Sequence, residues 1–550
     1  MPKSYQIDIM NYVLDSVHGP IGLTMVENEI ERLPIFKRLQ DIAQLGLVKR
    51  IFPCAVHSRY VHSLGVMFVA DKMALQLHLN DNERQLLRLA ALLHDIGHYP
   101  LSHDLEATYS DFYSDAHKEC QIEEPRAYKV IRSLKKDDED ISIELDGHET
   151  KKYHHETIGA IIVRNNSRIK EKIADYFVKD NDWFGELEAT DIDLATNDVL
   201  DDIACIITGN ARHKSRFFSN SYSIMVQLIH SEMDADNIDY LLRDAAFSGT
   251  TYGIMDMSLL IDCMTTQTLS FCMQNPMNYQ YEDISYTIVG IKPKGIGYVD
   301  QFMINRYLAY TQVIYHKYTS ILSAMLQCAV MWLLDSGTIT DYSDPRDMAE
   351  KADSNDLFLT FNDSLIISEI GKVDTDKCPT VVKKCIEYLR EYMAFSISDS
   401  PNEKENDKTF TAVDANDAYK SIVLSENLYS EIKKLDEEIR DLNRSNIGQR
   451  NRKWQLEDRP QELILKSMLL HIDSRQITKQ MPKDKYELLL RVNNRTDKEK
   501  RDKYDFDRLM NGIPIIIGDA KRPELIIDSP ASVLHRISTQ KCIRIRKYKV

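Results

Sequence analysis

Leu92-Leu93-His94-Asp95-Ile96-Gly97-His98 sets a histidine and an aspartate side by side at the end of an apolar run. Just upstream, Leu86, Leu89, Ala90 and Leu93 recur at three- and four-residue spacing, the stripe of a helix packed on a core. Asn80-Asp81-Asn82 supplies N-cap candidates for that helix, and Gly97 with Pro100 ends it. The ionisable doublet therefore sits at the inner end of a core helix, where an unpaired carboxylate would cost several kcal/mol. A cation beside Asp95 resolves the conflict, and imidazole with carboxylate suits Mn, Fe, Zn or Mg. Two protein ligands hold a metal weakly, so others must come from elsewhere in the chain.

Working outward, ten of the sixteen histidines (57, 62, 78, 94, 98, 103, 117, 148, 154 and 155) crowd into one window. His62, in His57-Ser58-Arg59-Tyr60-Val61-His62-Ser63-Leu64-Gly65-Val66, opens an apolar helix and is an upstream ligand candidate. Downstream, Glu232, Asp234, Asp236, Asp239 and Asp244 place five carboxylates within thirteen residues. At helical spacing Asp236, Asp239 and Tyr240 share a face, with Asp244 one turn further on. Alone, such a run is an exposed helix. Beside the histidines it becomes a source of ligands.

The rest of the chain sets the frame. Its 550 residues allow two or three folding units, and 19 glycines with 16 prolines are few enough to point to helix. A net charge of -16 argues against nucleic acid as a partner. Nine cysteines without a CxxC pair suggest a reducing cytoplasm, not a disulfide framework or a zinc ribbon. The N-terminus lacks a signal-peptide pattern, and the apolar stretch Ser320–Leu334 carries Gln327 and reads as a buried helix, not a membrane span. Helical patterning runs from Ile30 to Asp104 and resumes, with breaks, from His155 to Leu334, including a long run over Gln301–Leu334. Residues 133–152 read as an exposed charged insertion and 424–452 as a charged, exposed helix. Tyr486–Val492, Ile513–Ile517, Leu525–Ile527 and Cys542–Tyr548 read as short strands. The expected organisation is a mainly α core over 1–400, a linker with its exposed helix over 401–455, and a small α/β module over 456–550. Six Lys or Arg and no acid follow Asp528, which fits either a charge-protected edge strand or an anion-binding role.

The order His62, His94-Asp95, Asp236 resembles the HD superfamily of metal-dependent phosphohydrolases. Within it the chain is most similar to the deoxynucleoside triphosphate triphosphohydrolases, both the bacterial dGTPase-like enzymes and the animal enzyme that joins a SAM domain to an HD domain. The likeness runs from Asp15-Ser16-Val17-His18-Gly19-Pro20-Ile21 through His57–Gly65, His94–His98, Asp236–Asp244 and Gly249–Gly253 to Asn305-Arg306-Tyr307 and His316-Lys317.

The resemblance implies an HD-type helical catalytic core in which His62, His94, Asp95 and Asp236 hold a divalent metal (Mn, Mg or Fe), with a second Mg accompanying the nucleotide. It implies that His98 and His103 line the phosphate side, that Glu106 orients them, and that His155 protonates the leaving group. Arg59 and Arg306 would grip phosphates, since a guanidinium matches their oxygens in a fork. Gln44 and Asp244 would hold the sugar 3′-hydroxyl, with Asp239 and Tyr240 on the sugar side, the Tyr240 ring excluding a 2′-hydroxyl. The implied reaction is water attack on the α-phosphorus of a deoxynucleoside triphosphate. No Walker loop is needed, and Gly290–Gly297 lacks the Lys-Ser/Thr ending of one.

Three positions depart from the animal enzyme. Asn237 stands where it places a lysine on the phosphates, and Arg32 and Gln40 stand where its regulatory pocket reads guanine. Three functions follow. The first is a nucleotide-regulated, homo-oligomeric triphosphohydrolase that controls deoxynucleotide pools or starves phage. The second is an HD-domain phosphodiesterase or nuclease acting on cyclic nucleotides or single strands. The third, a sensor without catalysis, fits an intact ligand set least well.

Overall fold

The structure, a computed structural model, describes residues 7–113, 153–180, 189–218, 221–274, 280–339, 344–352, 357–394, 407–412, 470–478, 498–518, 522–537 and 541–547, with a few isolated positions between them. The insertion at 133–152, the strand read over Tyr486–Val492, and all but two positions of the helix read over 424–452 lie outside the described residues.

The fold is mainly α, as expected. Helix Asp81–Leu93 starts on a capping box: Glu83 N donates to the Asn80 side chain and Asn80 N to the Glu83 carboxylate, which satisfies two otherwise orphaned donors. Its stripe of Leu86, Leu89, Ala90 and Leu93 is fully buried. It packs against helix Arg59–Gln76, which in turn crosses helix Ala235–Ser248. These three helices carry the HD turn, His62 and Asp236 to one place. Among the described residues the largest apolar core cluster runs from Ile21 to Leu534, with a small separate one at Val48, Ala55 and Val313.

Ahead of them, strands β1 (Asn11–Asp15) and β2 (Gly19–Leu23) form an antiparallel hairpin. Its tip is locked by Asp15, whose Oδ1 accepts from the backbone N–H groups of Val17 and His18. Asp15 and His18 are thereby aimed inward.

The helical reading of His155–Leu334 fails in one segment. Strands β3 (Met264–Gln274) and β4 (Tyr281–Ile291) are antiparallel and paired along their whole length. Thr265, Thr266, Thr268 and Phe271 favour a pleated, half-buried surface over a helix. The run over Gln301–Leu334 is two helices, Ile296–Ala309 and Lys317–Asp335, joined through a π turn at Tyr310–Ile314. Tyr318–Asp335 is long and apolar enough by composition to cross a bilayer, but 72% of it is buried inside the fold. It packs on helices His103–Phe112 and Thr380–Ala394.

The C-terminal strands join two sheets. One is β5 (Asp407–Ala412), β9 (Lys541–Lys547) and β6 (Leu470–Gln476), in the order β5-β9-β6. The basic strand β9 is thus central, not an edge. In the other sheet, β7 (Pro514–Ile515) lies parallel to β4 and antiparallel to β8 (Glu524–Leu525), in the order β3-β4-β7-β8. Residues beyond 456 and residues before 400 therefore share a sheet.

Candidate metal centre and active site

His62, His94, Asp95 and Asp236 converge. His62 Nε2 lies 2.9 Å from Asp236 Oδ1 and 3.8 Å from Asp95 Oδ2. His94 Nε2 lies 3.4 Å from Asp95 Oδ1 and 3.9 Å from Asp236 Oδ1. One nitrogen from each of His62 and His94 and one oxygen of Asp95 lie within 4.8 Å of one another. Gly65 makes the crossing of its helix with Ala235–Ser248 possible. A Cβ there would sit 2.0 Å from Asp239 Oδ1 and 2.3 Å from Arg243 Nη2.

A divalent cation fits this donor set. His62 Nδ1 is 2.7 Å from Asp239 Oδ2 and His94 Nδ1 is 2.7 Å from the Ala91 carbonyl. Each contact fixes a tautomer whose Nε2 presents a lone pair. Both Nε2 atoms are buried, that of His62 2.9 Å from Asp236 Oδ1 and that of His94 without a hydrogen-bond partner. Burial opposes ionisation of Asp95, but Arg59 and the surrounding imidazoles more than offset it and hold the carboxyl well below its usual range. Burial likewise opposes charge on His62, but hydrogen bonds to Asp236 and Asp239 push it up to about 10. That proton and a cation would compete for the same Nε2, so the site favours positive charge at this point.

Asp239, expected on the sugar side, is fully buried. It takes His18 Nε2 at 2.6 Å, His62 Nδ1 at 2.7 Å, and Arg243 Nε and Nη2 at 2.9 and 3.0 Å. Arg243 Nη1 in turn donates to Asp15 at 2.7 Å. Asp239 therefore holds His62 and faces no ligand. Helical spacing placed it with Asp236 and Tyr240 but could not show that a neighbouring helix and a hairpin tip close over it. His18 and Asp15 belonged to a quoted motif without a role, and a histidine directly after a tight turn was the signal available.

A second group adjoins the first. His155 Nε2 and His98 Nε2 lie 3.8 and 3.9 Å from Asp95 Oδ1. The rings of His98 and His155 stack at 4.2 Å, with His103 at 4.9 Å from His98. Glu106 Oε1 accepts from the His155 backbone N–H at 2.9 Å and meets its Nδ1 at 3.0 Å, while Oε2 meets His103 Nδ1 at 2.7 Å. Burial opposes charge on His155, but Glu106 pushes it up to about 9. His98 goes the other way, pulled well below its ordinary value by burial and by the charges of Arg59 and His155. One imidazole is thus disposed to carry a proton and its stacked neighbour to lack one.

The other expected residues are placed as follows. Arg59 donates to Asp95 Oδ2 at 2.8 Å and to Ser102 Oγ at 3.0 Å, so it lines the same centre. Gln44 is buried with its Oε1 unbonded, and its carbonyl receives Arg59 Nη2 at 3.3 Å. Asp244 Oδ1 meets His57 Nε2 at 2.9 Å. Tyr240 donates to Asn237 Oδ1 at 3.0 Å, and Arg306 reaches the same oxygen at 3.1 Å while its Nη1 also binds the Glu232 carbonyl. Asn237, in the place of the animal enzyme's lysine, therefore ties Tyr240 to Arg306. In this arrangement Arg306 is engaged by protein groups.

A buried His/Asp centre of this kind, at the junction of three helices, could hold a divalent metal. Residues 59–196 match the HD domain family. It is 27% identical over 322 residues to an uncharacterised protein of Methanocaldococcus jannaschii, covering 58% of this chain and 49% of that one. It is 26% identical over 247 residues to the deoxynucleoside triphosphate triphosphohydrolase SAMHD1 homolog of Dictyostelium discoideum, covering 42% and 48%. The chain thus spans about half the length of these curated relatives. A phosphohydrolase of Bacteroides thetaiotaomicron shares the fold with a TM-score of 0.52 at 18% identity, over 98% of this chain and 100% of that one.

Proposed function

We propose that the protein hydrolyses deoxynucleoside triphosphates to the deoxynucleoside and inorganic triphosphate. The observation that carries this reading is the convergence of His62, His94, Asp95 and Asp236 beside a stacked His98–His155 pair. Likeness to relatives named as triphosphohydrolases supports the substrate class. The four ligands would hold Mn, Mg or Fe, which when bound neutralises phosphate charge and polarises the phosphoryl group.

The chain's own residues do the rest. Water oxygen ends on the α-phosphorus as the bond from that phosphorus to the 5′ oxygen breaks; His155 gives the departing oxygen its proton, and the proton the water loses passes to solvent, from which His155 is recharged. Glu106 aims His155 through two hydrogen bonds. Arg59, His98 and His103 face the phosphates, and electrostatic stabilisation there is the largest expected share of catalysis. Gln44 and Asp244 hold the 3′-hydroxyl, and the Tyr240 ring packs on the sugar. Regulation by a nucleotide and assembly of a cytoplasmic dimer or tetramer belong to the same proposal. Gel filtration with and without each nucleotide tests them.

The direct experiment incubates the full chain with each deoxynucleoside and ribonucleoside triphosphate plus Mn or Mg and looks for inorganic triphosphate. Asp236→Ala should abolish the product. Appearance of nucleoside monophosphates or cut oligonucleotides instead would mean a phosphodiesterase or nuclease.

A further inference from the structure

Two buried residues from outside the matched HD stretch grip the segment between the two histidine groups. Arg38 is 3% exposed and sits over the Phe358 ring at 4.3 Å. Its Nη1 donates to the Phe361 carbonyl at 2.7 Å, and its Nη2 donates to the carbonyls of Ile96 and His98 at 2.8 and 2.9 Å. The planar fork reaches these carbonyls from two nitrogens held a fixed distance apart, a geometry that the single nitrogen of an ammonium does not reproduce. Asp363, 6% exposed, works from the other side. Its Oδ1 accepts from the Leu101 N–H at 2.7 Å and its Oδ2 from the Ala43 N–H at 3.0 Å.

Between these grips the backbone is unusual. Leu101 and Ser102 both have positive φ, +54° and +57°, in consecutive residues that are not glycine. Such a conformation persists only where the surroundings over-determine it. Asp363 supplies one restraint at Leu101. Ser102 supplies another, donating to the Ala43 carbonyl at 2.7 Å while receiving Arg59 Nε. His98 lies just before the strained pair and His103 just after it.

We infer that Arg38 and Asp363 are positioning residues that clamp segment 96–103 from two sides and fix His98 and His103 toward the reacting phosphates. This inference rests on the function proposed above. It also gives helix Asp363–Lys372, far along the chain, a part in the site.

The test uses Asp363→Asn and Arg38→Lys in the full chain. The amide keeps the size of Asp363 but turns an NH2 toward a backbone N–H at Leu101 or Ala43. Displacing catalytic groups by about 1 Å should lower kcat about 100-fold, with KM and bound metal unchanged. A second readout needs no turnover. His98 is fully buried, so in the wild type it resists diethyl pyrocarbonate, whereas exposed His78 reacts. In both variants peptide mapping should show His98 losing its protection while His78 keeps its rate. Millimolar guanidinium should return that protection to Arg38→Ala, which covers the case of a variant that is unstable unaided. The clamp is overturned if His98 stays protected in both variants, or if guanidinium restores nothing. A wild-type chain that hydrolyses no deoxynucleoside triphosphate would count against the proposed function alone, because His98 protection is read independently.

Discussion

Glu106 sets the proton on His155. Its charge and its hydrogen bond to the ring Nδ1 hold that imidazole near 9 against the opposing effect of burial. If His155 is the acid, turnover requires the protonated ring, so activity is complete well below that value and falls as pH rises through about 9. Glu106→Gln removes the charge, and the falling limb should move down toward the ordinary histidine value of about 6.5. Rates measured from pH 6 to 10 check this; a limb that stays in place means another group is the acid. Much of this chemistry was legible, because His94 and Asp95 are neighbours in sequence and an apolar run before them announces burial. Arg38 and Asp363 were not. Neither belongs to a motif, Arg38 following Lys37 and Asp363 standing between Asn362 and Ser364, and only folding shows that both reach the same turn.

Among the elements, the crossing of Arg59–Gln76 with Ala235–Ser248 decides whether a centre exists at all. Gly65→Ala would drive a methyl into Asp239 and Arg243. The expected cost is about 1–3 kcal/mol of stability, as for other overpacked sites. The two helices should part, with loss of bound metal before loss of fold. Thermal melts with metal analysis on the same sample check this; full metal retention would mean the crossing has slack. The helices around the HD turn were readable from three- and four-residue spacing and from the Asn80 cap. The β3–β4 pair was missed because its Thr and Ser residues carry a weak hydrophobic signal, and its strand character comes from pairing of 264–274 with 281–291. Nor could spacing show the tip of β1–β2 folding back onto Asp239, since 221 residues separate His18 from its partner.

At the scale of the whole molecule, the C-terminal region is part of the centre's support. Thr478 donates to the Glu232 carboxylate at 2.7 Å, and Glu232 N–H donates to the Asn511 carbonyl at 3.1 Å. Glu232 also holds Arg306, and it begins the acidic run that ends in the ligand helix. Ile513, Ile515 and Ile526 are buried in the common core. A chain cut after residue 455 should therefore be insoluble or melt well below the full chain, and a soluble fragment with an unchanged melting temperature would show the core to be independent. The central claim is that four side chains from three parts of the sequence share one divalent ion. Elemental analysis of the full chain after equilibration with Mn and removal of the excess tests it most directly. The expected result is one tightly held ion per chain, lost in both His94→Ala and Asp236→Ala while the far-ultraviolet circular dichroism is unchanged. Metal content equal in the wild type and both folded variants would contradict it.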